Sequence, residues 1–129
     1  MDEALIKRVP PHSIEAEQSV VGAMLMDRDA ITVAAEIICG DDFYQKAYGV
    51  IFDSVVLFNE GKPVDLITLQ NRLREKAVPE EISSLEFVRD LVTAVPTSAN
   101  VKYYAEIVSE KATLRRLIKM NEAIADECY

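Results

Sequence analysis

The sequence predicts an all-α protein, a compact bundle of about five helices followed by one long helix. Three observations carry that expectation. Apolar residues recur at spacings of three and four over most of the chain, the helical period. Capping residues precede these periodic segments, and only four glycines and five prolines interrupt 129 residues. Half the residues are hydrophobic and 28% are charged, so one domain of this size can bury a core without disulfides or metals.

Residues 1–12 read as a loose N-terminal arm, stiffened at its exit by Pro10 and Pro11. Ser13 stands where an N-cap belongs, with Glu15 and Glu17 in the first turn to meet the helix dipole. The first helix then runs to about Met26. Its apolar set, Ile14, Val20, Val21, Met24 and Leu25, covers a broad arc. Asp27 or Asp29 caps a second helix through Ile38, with Gly40 as its stop. Asp41 or Asp42 starts a third, "FYQKAYGVIFDSVVLFNE", in which Phe43, Ala47, Val50, Ile51, Val55 and Phe58 keep the helical period to Gly61.

After a bend at Lys62-Pro63, Asp65 caps "LITLQNRLREK", and "AVPEEIS" is a turn. Ser83 with Glu86 has the capping-box spacing and opens "SLEFVRDLVTAV", which Pro96 ends. Thr97 or Ser98 caps the last helix. The expected organisation is an arm over 1–12, a helical body over 13–97 and a long terminal helix over 98–129.

That last helix has two faces. With Val101 at about 0° on a wheel of ~100° per residue, Tyr104, Ala105, Val108 and Ala112 cluster within ~60° of it. Beyond Ala112 the same side turns charged: Arg115, Arg116, Lys119, Glu122 and Asp126. The apolar surface moves to the far side. Leu114, Leu117, Ile118, Ile124, Ala125 and Cys128 centre near ~200°, joined by Tyr103 and Ile107. The first half should therefore dock on the body, while the second presents a stripe with nothing later in this sequence to cover it. A following segment, another copy of the chain, or both would fit.

Charge and motifs exclude several function classes. The net charge is −8. Residues 1–98 hold 9 Lys/Arg against 17 Asp/Glu, and residues 99–129 hold five of each. No basic stripe is present to release counterions, which opposes nucleic-acid binding by this domain alone. No apolar run reaches the ~18 residues of a membrane span, and the N-terminus lacks a secretory apolar region. No GxxxxGK[ST], GxGxxG or HExxH occurs. His12, the only histidine, lies in the arm. The acid pairs Asp41-Asp42 and Glu80-Glu81 read as caps and solvated loops, since no third metal ligand is placed beside them. Cys39 and Cys128 lack metal spacing and read as two reduced thiols of a cytosolic protein. No catalytic, cofactor-binding or metal-binding residue is expected.

Four stretches, "RVPPHSIEAEQSVVGAMLMD", "DDFYQKAYGVIFDSV", "GKPVDLITLQNRL" and "AVPTSANVKYYAEIVSEKATLRRLI", resemble the N-terminal domain of bacterial replicative DNA helicases of the DnaB type. The resemblance runs from about Arg8 to the end of the chain. It implies a cytoplasmic, non-catalytic part of a hexameric helicase whose ATP- and Mg-dependent motor is a separate C-terminal domain. It further implies that the helix from Ser98 is the first arm of a helical hairpin, with Tyr129 near its tip. Such hairpins pair between subunits into a trimer of dimers, and the same collar receives the C-terminal domain of primase within the primosome. Tyr103, Ile107, Leu114, Leu117, Ile118 and Ile124 then form the subunit interface. The primase-contacting surface falls near Phe87 and Ile118, and a helicase loader is a further candidate partner. Phe87 stands where many members carry tyrosine, and the loops "NEGKP" and "AVPEEISSLEF" depart from the usual pattern. A competing expectation is an auxiliary single-stranded DNA-binding module, which the charge balance disfavours. A small enzyme built on Asp41 and Asp42 is the weakest reading.

Overall fold

The computed structural model describes residues 8–60, 66–75, 85–93 and 97–129. Among these described residues six α-helices follow in order: α1 Ile14–Met26, α2 Arg28–Ala35, α3 Lys46–Asn59, α4 Leu66–Glu75, α5 Leu85–Thr93 and α6 Val101–Cys128, with a 3-10 turn at Gly40–Asp42. The described residues contain no strand. The expected all-α body with one long final helix is what the chain adopts.

The core is built around α1, which packs against α2, α3, α5 and the start of α6. Val20, Val21 and Met24 meet Ala34, Ile51, Val55, Leu91, Ala105 and Val108 in one buried cluster. Ser13 caps α1 as expected, its hydroxyl accepting from the Ala16 N–H at 3.2 Å. Ile14, placed by the wheel on the buried arc, is exposed instead, because it occupies the first helical turn at the margin of the core.

Between α2 and α3 the chain departs from the sequence expectation. α2 ends at Ala35 rather than Ile38, and Gly40 opens the 3-10 turn instead of stopping a helix. α3 starts at Lys46, so Asp41 and Asp42 do not cap it and Phe43 lies in extended backbone. Two tertiary demands explain the delay. The Glu17 carboxylate of α1, 1% exposed, accepts the N–H groups of Tyr44 and Gln45 at 2.9 and 3.0 Å, holding that stretch out of the helix. Charge-assisted bonds of this kind are about twice as strong as neutral ones and here offset the burial of a charge.

The second demand is a close crossing of the 3-10 turn over α3. Gly40 donates its N–H to Asp53 at 3.0 Å, and a Cβ on Gly49 would run into the Gly40 carbonyl. The freed Phe43 side chain packs with Phe52, ring centroids 5.3 Å apart. Nearby, burial raises the Tyr48 pKa above its ordinary 10.0, and the negative charge of Glu17 adds to the rise.

α4 and α5 lie within the segments expected to be helical. Their expected caps and breakers, Asp65, Ser83 and Pro96, and the turn residues Gly61, Lys62, Pro63, Glu80 and Glu81 fall outside the described residues. At the entrance to α6 neither Thr97 nor Ser98 is the N-cap, which is Asn100. The Ser98 hydroxyl instead donates to Asp27 Oδ2 at 3.0 Å, while Asp27 Oδ1 accepts from Asp29 and caps α2. One carboxylate thus ties the start of the long helix to the α1–α2 corner.

Candidate functional site

The feature that sets this chain apart from a closed bundle is α6. Its 28 residues make a rod of about 42 Å. Val101, Ala105, Val108 and Ala112 are buried against the body, as the wheel requires. Small and β-branched side chains on that face let α6 lie close to α1 and α2. After Ala112 no residue of the helix is buried. Residues 113–128 therefore form an overhang about 24 Å long.

On the overhang Leu114, Leu117, Ile118 and Ile124 are exposed, and Met120 and Tyr129 add to the apolar surface. Tyr103 is also exposed and Ile107 half-buried, so the stripe begins alongside the body and continues past it. The six residues assigned to an interface from the sequence thus lie along α6, all at least partly accessible and none in the core. Phe87 belongs to α5, and its side chain is outside the described residues. Tyr103 and Tyr104 meet edge-on, centroids 5.4 Å apart, with Tyr104 half-buried against the core.

The opposite side of the overhang, charged as the sequence has it, begins with two arginines that reach the body. Arg115 donates to the carbonyls of Pro11 (2.8 Å) and Asp42 (2.6 Å), and Arg116 pairs with the Asp42 carboxylate at 2.8 Å. Asp42 is buried, and its other oxygen accepts the Cys39 N–H at 2.9 Å. Sequence reasoning missed this junction. The one available signal was position: residues 115 and 116 straddle the buried face directly after its last apolar residue.

His12 is likewise not free. Its ring stacks on Tyr44 with centroids 4.1 Å apart and planes 10° from parallel. The expected loose arm therefore does not extend through residues 10–12. Cys39 and Cys128 are both free and exposed. No described helix is long and apolar enough to cross a membrane.

Residues 9–110 match the family model described as the DnaB-like helicase N terminal domain. The chain belongs to that family. Among DnaB-type relatives, the replicative DNA helicase DnaC of Bacillus subtilis is 42% identical over the whole of this chain, and the replicative DNA helicase DnaB of Geobacillus stearothermophilus is 45% identical. In both cases the chain spans 29% of the relative's length. The crystal structure of the N-terminal domain of DnaB helicase from Mycobacterium tuberculosis superposes with a TM-score of 0.80 at 37% identity, covering 92% of this chain and 86% of that one. The chain thus carries the DnaB-like helicase N-terminal domain, and its helical fold is the family's.

Proposed function

We propose that this domain is the non-catalytic assembly and docking part of its helicase, and that the exposed stripe of α6 is where assembly happens. The observation that carries the reading is the coexistence of two faces on one helix. One is fully buried to Ala112, and the other leaves Leu114, Leu117, Ile118 and Ile124 in water past the edge of the body. Stripes of this kind are covered by other helices. The occupants we assign are a second hairpin arm and the equivalent helix of a neighbouring subunit, building a trimer of dimers in the hexamer. ATP and Mg belong, on this reading, to a separate motor domain, and this domain holds no cofactor of its own.

The same reading makes the domain a receptor for the primase C-terminal domain through a surface that includes Ile118 and Phe87, with a loader as a second client. Direct grip on DNA is a minor part of it, since the net charge is −8 and both arginines of the overhang's first turn are engaged by the body.

Sedimentation equilibrium over a wide concentration range tests the proposal. A dimer that dissociates on dilution supports it, and its loss in Leu114→Asp ties it to the stripe. A strict monomer, both for this chain and for a chain extended to the length of its relatives, would overturn it. For the docking half, calorimetric titration with the primase C-terminal domain should show binding that Ile118→Asp weakens, and unchanged binding would remove Ile118 from that surface.

A further inference from the structure

Apolar packing stops holding α6 at Ala112, yet the next turn is tied to the body by three polar contacts from two adjacent arginines. One of these reaches back 104 residues to the carbonyl of Pro11. That carbonyl is not on a free chain. Pro10 and Pro11 have restricted backbones, His12 Nδ1 lies 2.7 Å from the Pro10 carbonyl, and the His12 ring lies flat on Tyr44. Since a carbonyl only accepts, Nδ1 carries the proton there. Tyr44 is in turn fixed through its own N–H to the buried Glu17 carboxylate of α1. The Arg115 guanidinium stands 5.7 Å from the centroid of the same Tyr44 ring.

From this we infer that residues 10–12 and Tyr44 form a strap across the base of α6 that sets the direction of its overhang. Direction matters because the overhang acts as a lever: a change of about 10° at its base moves the tip by about 4 Å over its length of about 24 Å. The apolar stripe and the strapped side lie on opposite sides of α6. The strap therefore decides where the stripe points without touching it. Engagement of the N-terminal arm and aim of the stripe become one coupled variable, so a partner that draws residues 10–12 away from Tyr44 would release the overhang. The inference holds whatever covers the stripe.

The test is an intramolecular distance between spin labels. One label goes on Cys128 and the other on a cysteine introduced at exposed Glu36, with Cys39 changed to serine. An excess of unlabelled chain suppresses distances between molecules. We expect a narrow distribution for the otherwise native chain. In Arg115→Met, which keeps the aliphatic stem and loses both donors, it should shift or widen by about 4 Å or more. Tyr44→Ala, which removes the platform for His12, should do the same and serves if Arg115→Met fails to fold. The double variant should go no further than Arg115→Met, which already loses the Pro11 contact that Tyr44→Ala loosens, together with the one to Asp42. Lys119→Met, one turn further along the same side, should leave the distribution unchanged. Distributions in Arg115→Met and Tyr44→Ala that coincide with the native one would overturn the inference. So would an equal broadening in Lys119→Met.

Discussion

Leu114→Asp is the perturbation that most directly probes the stripe. In the chain by itself Leu114, Leu117, Ile118 and Ile124 are 39%, 50%, 42% and 59% exposed. Full burial of such a side chain contributes ~1.5–3 kcal/mol, so covering what these four leave in water is worth about 3–6 kcal/mol per copy. Leu114 accounts for about 0.6–1.2 of that, and roughly twice as much where both copies of a symmetric pair lose it. Leu114→Ala should then weaken the dimer about 10-fold to 50-fold, at ~1.4 kcal/mol per tenfold. Aspartate adds the cost of burying an unpaired carboxylate, several kcal/mol, so Leu114→Asp should weaken it by about 100-fold or more. Sedimentation equilibrium reads the association, and circular dichroism melting of the same samples reads the body. The helical signal and midpoint should stay near those of the unmodified chain, because this face points away from the core. Global unfolding of Leu114→Asp, or a dimer unaffected by it, would refute the assignment of the stripe.

Other outcomes follow from the body. Gly49 lies within α3, where helix propensity alone would make Gly49→Ala stabilising by about 1 kcal/mol. The Gly40 carbonyl stands where the new Cβ must go, so we expect net destabilisation of about 1–3 kcal/mol, seen as a lower melting temperature. A higher one would mean that the 3-10 turn moves aside freely. Ser13→Ala removes the cap on Ala16 N–H and should cost about 1 kcal/mol by urea titration, while Ser13→Asp should restore most of it. Tyr48 keeps its proton to higher pH in the folded chain than in the unfolded one, where the value is near 10.0. Its contribution to stability is therefore fully present below about pH 10 and is lost as pH rises from there through the folded pKa. Urea titrations at pH 8 and above pH 10 should show a smaller alkaline loss in Tyr48→Phe than in the unmodified chain. Equal losses would place the alkaline sensitivity on other groups.

Much of this architecture was legible from residues alone because helices announce themselves locally. Ser13 and the acids behind it mark the start of α1, and the spacing of Val101, Ala105, Val108 and Ala112 marks the buried face of α6. The shift of apolar residues to the other side of α6 was equally plain, since it depends only on ~3.6 residues per turn. What could not be read was any feature whose partner lies far away in the chain. Glu17 looked like one more first-turn acid, yet it is buried and delays α3 by holding Tyr44 and Gln45 from 27 and 28 residues away. Asp42 looked like a cap, and nothing local linked it to Arg115 and Arg116, until the fold placed them together.

The sequence by itself determined the class of fold, the family and the two-faced terminal helix, because each rests on local periodicity, local capping or a run of matching residues. The tertiary structure decided where α3 begins, what Asp27 and Asp42 hold, and how the arm at Pro11 and His12 meets the base of the overhang. The physical reason is one of range. Hydrogen-bond periodicity within a helix spans four residues, whereas a polar group's long-range partner is chosen by which surfaces the hydrophobic core brings together.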